Sequence, residues 1–341
     1  MAAIRVFLSG TFDPWFNIAT EEWIFRDLDP SGQTLFLWRN KPTVVIGRNQ
    51  NPWSECNLSK MEQDGVSLAR RSSGGGAVYQ DLGNTNFTFL SPRENYDRTA
   101  NSNIVIRALA SLGVPVESSG RNDLVVHQDD GPRKVSGAAF RETRDRAFHH
   151  GTLLLNTDLD CLAQYLTPHP KKLQSKGRAS VRARVMNLNE INQEINYPTL
   201  AEVLIAEFKR TYQCDCEVVT LDPKSLQALD ALKLNYQHFS SWEWRYGHAP
   251  KFAQQMQEYL SWGLIDLHFN SDRGRIEQLK IYSDALNPDL VASLEINFLG
   301  KTLNRGGIAE AIVLTENAFP DHASDLAEMQ TWLEREVELQ E

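Results

Sequence analysis

The 341-residue sequence predicts an α+β protein, with mixed β-sheets flanked by helices, divided into a larger and a smaller domain. Three observations carry that reading. Short apolar runs that read as strands recur between stretches with helical spacing across most of the chain. The length exceeds what one hydrophobic core usually serves and favours about two domains. Finally, Gly247-His248-Ala249-Pro250 breaks the pattern, which assigns residues 1–247 to the first domain, 248–252 to a linker and 253–341 to the second.

The elements follow in order. Asp13-Pro14 opens a helix with Asp as N-cap and Pro at the first helical position, and Phe16, Ala19, Trp23 and Ile24 recur on one face. Residues 35–38 and 43–46 read as strands joined across Asn40-Lys41-Pro42, apolar throughout and so buried on both faces. A polar loop and a short helix over 58–63 lead to a strand at 66–68, a glycine run, and strands at 76–79 and 86–90. Ile104, Ala108 and Leu112 predict a helix stopped by Gly113 and Pro115. Strands at 123–126 and 134–140 flank the hairpin composition Gln128-Asp129-Asp130-Gly131-Pro132, which puts Lys134 at a strand start. A strand at 151–155, a cation-rich loop over 168–183 and an amphipathic helix over 199–212 complete the first domain. In the second, alternation over 263–269 and 275–281 predicts a hairpin, with helices from about Pro288 and His322.

Composition excludes several classes. With 41% hydrophobic and 23% charged residues, no apolar run of membrane-spanning length and no signal-peptide pattern at the start, the expectation is a cytoplasmic globular protein that engages no membrane. A net charge of −9 argues against a general nucleic-acid binder. Residues 133–184 nevertheless hold eleven Lys and Arg against four Asp and Glu, which suggests a local site for a phosphorylated ligand or an acidic partner, or simply a solvated charged face. Cys56, Cys161, Cys214 and Cys216 lack both zinc-finger pairing and disulfide density, so reduced thiols are expected.

The stretch Arg70-Arg71-Ser72-Ser73-Gly74-Gly75-Gly76-Ala77-Val78-Tyr79 gathers the chemistry. Glycine lets backbone N–H groups approach a ligand, and arginine supplies a planar fork that matches carboxylate or phosphate. Read alone, the run is equally a turn between strands. Together with Arg121-Asn122-Asp123-Leu124, Lys134-Val135-Ser136-Gly137 and His149-His150-Gly151-Thr152-Leu153-Leu154, it resembles the lipoate-protein ligase A family, and these separated blocks stand in the family's order.

The resemblance implies a catalytic domain like those of biotin ligases and class II aminoacyl-tRNA synthetases, with a small α+β accessory domain. It implies ATP and Mg²⁺ as co-substrate and metal, lipoate as substrate, and lipoyl domains of 2-oxoacid dehydrogenase E2 subunits and the glycine cleavage H protein as partners; a monomer is the separate expectation. Lys134 and Asp123 are the expected catalytic residues, Asp123 also a ligand for Mg²⁺. Arg71, Gly76, Ala77, Val78, Tyr79, Asn122, Lys134 and Arg182 are expected at ATP and the adenylate, with Ser72 and Ser73 as further phosphate donors. Lys134, Ser73, Gly75, Val45, Gly137 and His150, with Ile46 and Ala138, are expected around lipoate. Adjacent strand residues point to opposite faces, so His149 and His150 are not expected to share a metal ion. Residues 176–185 resemble an adenylate-covering flap, from whose pattern Arg178-Ala179 and Ala183 depart. Rival readings are an acyltransferase working through a cysteine thioester, a biotin ligase and a non-catalytic lipoyl-domain binder.

Overall fold

A computed structural model describes residues 4–120, 122–167, 185–247, 253–272 and 274–338, the side chain of Glu338 excepted. The expected linker 248–252, Arg182 and nearly all of the expected flap lie outside the described residues.

An eight-stranded mixed sheet forms the backbone of the larger part. Its strands are β1 (Ile4–Ser9), β2 (Gln33–Trp38), β6 (Asn84–Pro92), β7 (Glu117–Ser119), β8 (Asp123–Gln128), β9 (Gly131–Glu142), β10 (Arg146–Leu154) and β11 (Val218–Leu221), in the spatial order β11-β1-β2-β6-β10-β9-β8-β7. The pairs β11–β1 and β1–β2 are parallel and the rest antiparallel. A second sheet of β3 (Thr43–Ile46), β4 (Ser67–Arg70) and β5 (Val78–Gln80), in the order β4-β3-β5, packs over it. The helix Pro14–Arg26 starts as its sequence dictates, with Asp13 Oδ1 accepting from the backbone N–H of Trp15 and Phe16.

The strands at 35–38 and 43–46, joined across Asn40-Lys41-Pro42, belong to different sheets. Trp38 pairs with Asn86 in the large sheet, whereas Thr43 pairs with Ser67 and Gln80 in the small one, so residues 39–42 carry the chain between layers. Strands β1 and β11 and the helices Asp230–Ser240 and Arg305–Ala318 were not expected; β1 and β11 lack a turn partner, and their parallel pairing leaves no local signature.

Residues 254–338 form an antiparallel sheet of β12 (Gln254–Leu260), β13 (Gly263–Asp272) and β14 (Arg275–Ser283), covered by the helices Pro288–Phe298, Arg305–Ala318 and Ala323–Glu338. One hydrophobic cluster, from Met256 to Val337, belongs wholly to this unit. Its segment 283–289 lies on the larger part. Ser283 N–H donates to Asn49 O at 2.8 Å, Gly75 N–H to Ala285 O at 3.0 Å, and Arg48 pairs with Asp289 at 2.6 Å. Gly74 has to be glycine for this approach, because a β-carbon there would lie 2.1 Å from Ala285 O. Among the described residues no helix is long and apolar enough to cross a membrane.

Candidate active site

A cavity of about 740 Å³ lies between the two sheets, closed at one side by Tyr259, Trp262, Leu264 and Leu286. The strand register dictates its floor. Trp38 faces Asn86, Asn86 faces Thr152, Thr152 Oγ1 meets the backbone of Gly137, and Gly137 faces Asp123. Five neighbouring strands therefore contribute one residue each to a row running across the sheet. A second row holds Thr88, His150 and Ala139.

Lys134 reaches this floor through an irregularity. Leu124 pairs with Ser136 but Val125 with Lys134, so β9 carries one extra residue against β8. In a regular strand Lys134 and Gly137, three apart, would point to opposite faces. The bulge turns Lys134 onto the cavity face, where its Nζ lies 2.7 Å from the position that a Gly137 β-carbon would take and 2.6 Å from Asp123 Oδ1. Lys134 is thus not at a strand start: β9 begins at Gly131, after a turn of two residues, Asp129 and Asp130. A glycine inside a strand pattern was the available signal. Asn122 also lines the cavity, and it straps β9, donating from Nδ2 to Ala138 O at 2.6 Å.

The glycine run is folded around its own arginines. Arg71, mostly buried but still among the residues lining the cavity, donates to Ser73 Oγ and to the carbonyls of Val45, Gly74 and Gly76. Burial pushes its pKa down to about 10, still far above neutral, so it remains a cation. Its fork, expected to grip phosphate or carboxylate, is engaged with loop carbonyls and holds the loop's shape. Arg70 does the same, donating to the carbonyls of Gly47, Arg48, Gln50, Trp244 and Arg245 rather than to a carboxylate. Gly75 has φ +88°, a conformation that glycine adopts at little cost. Gly75, Gly76, Ala77, Val78 and Tyr79 line the cavity, as do Val45, Gly137, Ala138 and His150.

Three expected contacts fall elsewhere. Ser72 and Ser73 are buried, and Ser73 Oγ accepts from Arg71 Nε and lies 2.8 Å from His150 Nε2, so its hydroxyl supports the loop from behind. Ile46 packs into the separate cluster with Val44 and Met61, because its strand neighbour Val45 is the one facing the cavity. His150 does face the cavity, and its Nδ1 lies 2.8 Å from Glu21 Oε1, which also accepts from Thr88 Oγ1 at 2.6 Å. Glu21, Gln80, Asn86 and Trp38 were not singled out in the sequence. Glu21 sits on a helix that is buried nearly all round, where amphipathic spacing carries no signal.

His149 points away from His150, among the rings of Phe87, Phe89 and Phe140. Burial lowers its pKa to about 3 against an ordinary value of 6.5. The unfolded chain therefore binds this proton first, and the protein loses stability as the pH falls from about 6.5 toward 3. Relative to His149→Phe, the natural protein is expected to lose roughly 3 kcal/mol more between pH 7 and pH 4, from about 1.4 kcal/mol per unit of pKa difference. Urea unfolding of both proteins across that range measures this, and parallel curves would contradict it.

None of the four cysteines lines the cavity, and burial pushes the Cys56 thiol up to about 12, so no activated thiolate faces Lys134.

Comparison with known proteins completes the picture. The family model "Lipoyl protein ligase A/B catalytic domain" matches residues 13–209, and "Bacterial lipoate protein ligase C-terminus" matches 249–333. A lipoate-protein ligase A of Bdellovibrio bacteriovorus is 51% identical over 99% of this chain and 100% of its own, and one of Psychrobacter cryohalolentis is 46% identical over 98% and 99%. Among solved structures, P. falciparum LipL1 in complex with lipoate superposes with TM-score 0.83 at 31% identity, covering 98% of this chain and 100% of that one. A lipoate-protein ligase A bound with ATP gives TM-score 0.61 at 27% identity over 72% and 99%. The Thermoplasma acidophilum bipartite lipoate protein ligase, described with its E2 lipoyl domain, gives 0.64 at 28% over 74% and 100%.

Proposed function

The chain belongs to the lipoate-protein ligase A family and is a ligase, and from that premise we propose that it activates free lipoate with ATP to lipoyl-AMP and then transfers the lipoyl group to the ε-amine of a lysine on lipoyl-accepting domains. A carboxylate cannot acylate an amine at neutral pH because hydroxide leaves poorly, so the acid must first become a mixed anhydride. In the first half-reaction a lipoate carboxylate oxygen bonds to the α-phosphorus and pyrophosphate departs. In the second the lysine nitrogen bonds to the acyl carbon, the bond to the phosphate oxygen breaks, and AMP leaves with that electron pair.

The observation that carries this reading is the placement of Lys134: a cation held by a bulge over a bare glycine, at one end of a long, largely apolar cavity. An ammonium there neutralises the carboxylate and the α-phosphate together, and does so more strongly as charge builds in each transition state. Asp123, paired with Lys134, is assigned to receive the incoming lysine's ammonium and proton. The backbone of Gly76, Ala77, Val78 and Tyr79 is assigned to the nucleotide, and Val45, Gly75, Gly137 and His150 to the acyl chain.

Mg²⁺ favours one or two carboxylates together with substrate phosphates, and Asp123 on the cavity floor fits that donor set. Bound there, the ion would offset the charge of the triphosphate. Residues 1–247 are assigned as the catalytic domain, and residues 253–341 as an accessory domain that adjusts access through the 283–289 segment. E2 lipoyl domains are the proposed acceptors, in keeping with the Thermoplasma acidophilum ligase and its E2 lipoyl domain, and the H protein is proposed beside them.

The test is lipoate-dependent exchange of labelled pyrophosphate into ATP with Mg²⁺ and no acceptor, followed by mass measurement of an added lipoyl domain. Exchange, and a mass gain that disappears when the acceptor lysine is replaced by arginine, is the expected result. A folded protein without exchange would contradict the reading.

A further inference from the structure

Polar groups also stand at the other end of the floor, and nearly all have their hydrogen bonds made. Trp38 Nε1 donates to Thr88 Oγ1, Thr88 donates to Glu21, and both ring nitrogens of His150 are engaged, by Ser73 and Glu21. Gln80 and Asn86 differ. Both line the cavity and are almost fully buried, at 3% and 2% exposure. Gln80 Nε2 donates to Asn86 Oδ1 at 2.8 Å and Asn86 Nδ2 back to Gln80 Oε1 at 3.3 Å. Each oxygen takes a second donor, Asn40 Nδ2 on Gln80 and Asn84 Nδ2 on Asn86, so both acceptors are saturated. An amide nitrogen carries two hydrogens, and one on each of these nitrogens is left without an acceptor among the described residues.

We propose that the Gln80–Asn86 amide pair is the specificity determinant that selects a sulfur-bearing ring over a plain hydrocarbon tail in the acyl substrate. The inference rests on the reading that the carboxylate sits at Lys134. From Gly137 to Asn86 the floor spans two strand spacings, roughly 10 Å, which is within reach of the ring of an eight-carbon acid anchored at Lys134. Ring sulfur is a weak, soft acceptor that can take the spare hydrogens. A methyl end displaces water from them and offers nothing in return, leaving buried donors unpaired. Discrimination of this type comes from the site's own unsatisfied polar groups rather than from added attraction.

The experiment compares three acids in the pyrophosphate-exchange assay with the natural protein: lipoate, octanoate and 5-cyclopentylpentanoate, the last keeping the ring but not the sulfur. Lipoate is expected to exceed both others by about tenfold in kcat/KM. Gln80→Leu and Asn86→Leu are each expected to bring the three within about threefold, chiefly by improving octanoate and the carbocycle, which then leave no buried donor unpaired. Equal use of lipoate and the carbocycle by the natural protein overturns the inference with no variant needed, so a variant that fails to fold does not protect it. A variant that keeps the preference, or changes only the KM for ATP, also overturns it. No exchange with any of the three acids would instead remove the ligase reading, and this inference with it.

Discussion

Lys134→Ala is expected to lower lipoate-dependent pyrophosphate exchange by about a hundred- to a thousandfold, the usual cost of removing one preorganised donor from a developing charge. The loss should fall on kcat more than on the KM for lipoate, because apolar walls supplied by Val45, Val78 and Leu286 still hold the acyl chain. Stability should change little. The Lys134–Asp123 pair is about one-third exposed, at 37% and 32% of its side chains, and pairs that wet contribute at most about 1 kcal/mol. Unfolding in urea and exchange kinetics on the same preparation separate the two effects. A folded alanine variant within tenfold of the natural rate would take Lys134 out of the chemistry.

Most of this site could be read in the sequence, and what could not has a physical reason. The Arg-Arg-Ser-Ser-Gly-Gly-Gly block, Asn122-Asp123 and Lys134 are short, local and polar, and their residue types restrict what they can do. What Arg71 does with its donors is not local. How its fork is shared between a ligand and the carbonyls of Val45, Gly74 and Gly76 depends on how tightly the loop closes, and the loop wraps the guanidinium while leaving Arg71 among the residues that line the cavity. Glu21 escaped because it reaches His150 across 129 positions of sequence, from a helix whose buried polar face defeats periodicity. Gln80 and Asn86 look like ordinary strand-flanking amides until the register brings β5 over β6. Parallel strands such as β1 and β11 were hidden for a related reason: their partners are distant in sequence, and no turn announces them.

Two glycines on adjacent strands should fail in different ways, and the difference tests how Lys134 is held. In Gly137→Ala the new β-carbon would stand 2.7 Å from Lys134 Nζ and 2.8 Å from Cε, too close for either. The end of a lysine is the cheapest thing to move, so the fold is retained and the ammonium is displaced from the cavity floor. Misplacing a catalytic group by about 1 Å costs on the order of a hundredfold, and that is the loss expected in exchange, at nearly unchanged stability. In Gly151→Ala the β-carbon would instead stand 2.4 Å from the ring of Phe87, which is fully buried. That ring cannot swing into solvent, so overpacking should cost about 1–3 kcal/mol of stability while the correctly folded fraction stays active. Paired unfolding and exchange measurements on the two variants read both outcomes. If Gly137→Ala kept full exchange, the seat of Lys134 over a bare backbone would be incidental, and the bulge that turns it there would need another explanation.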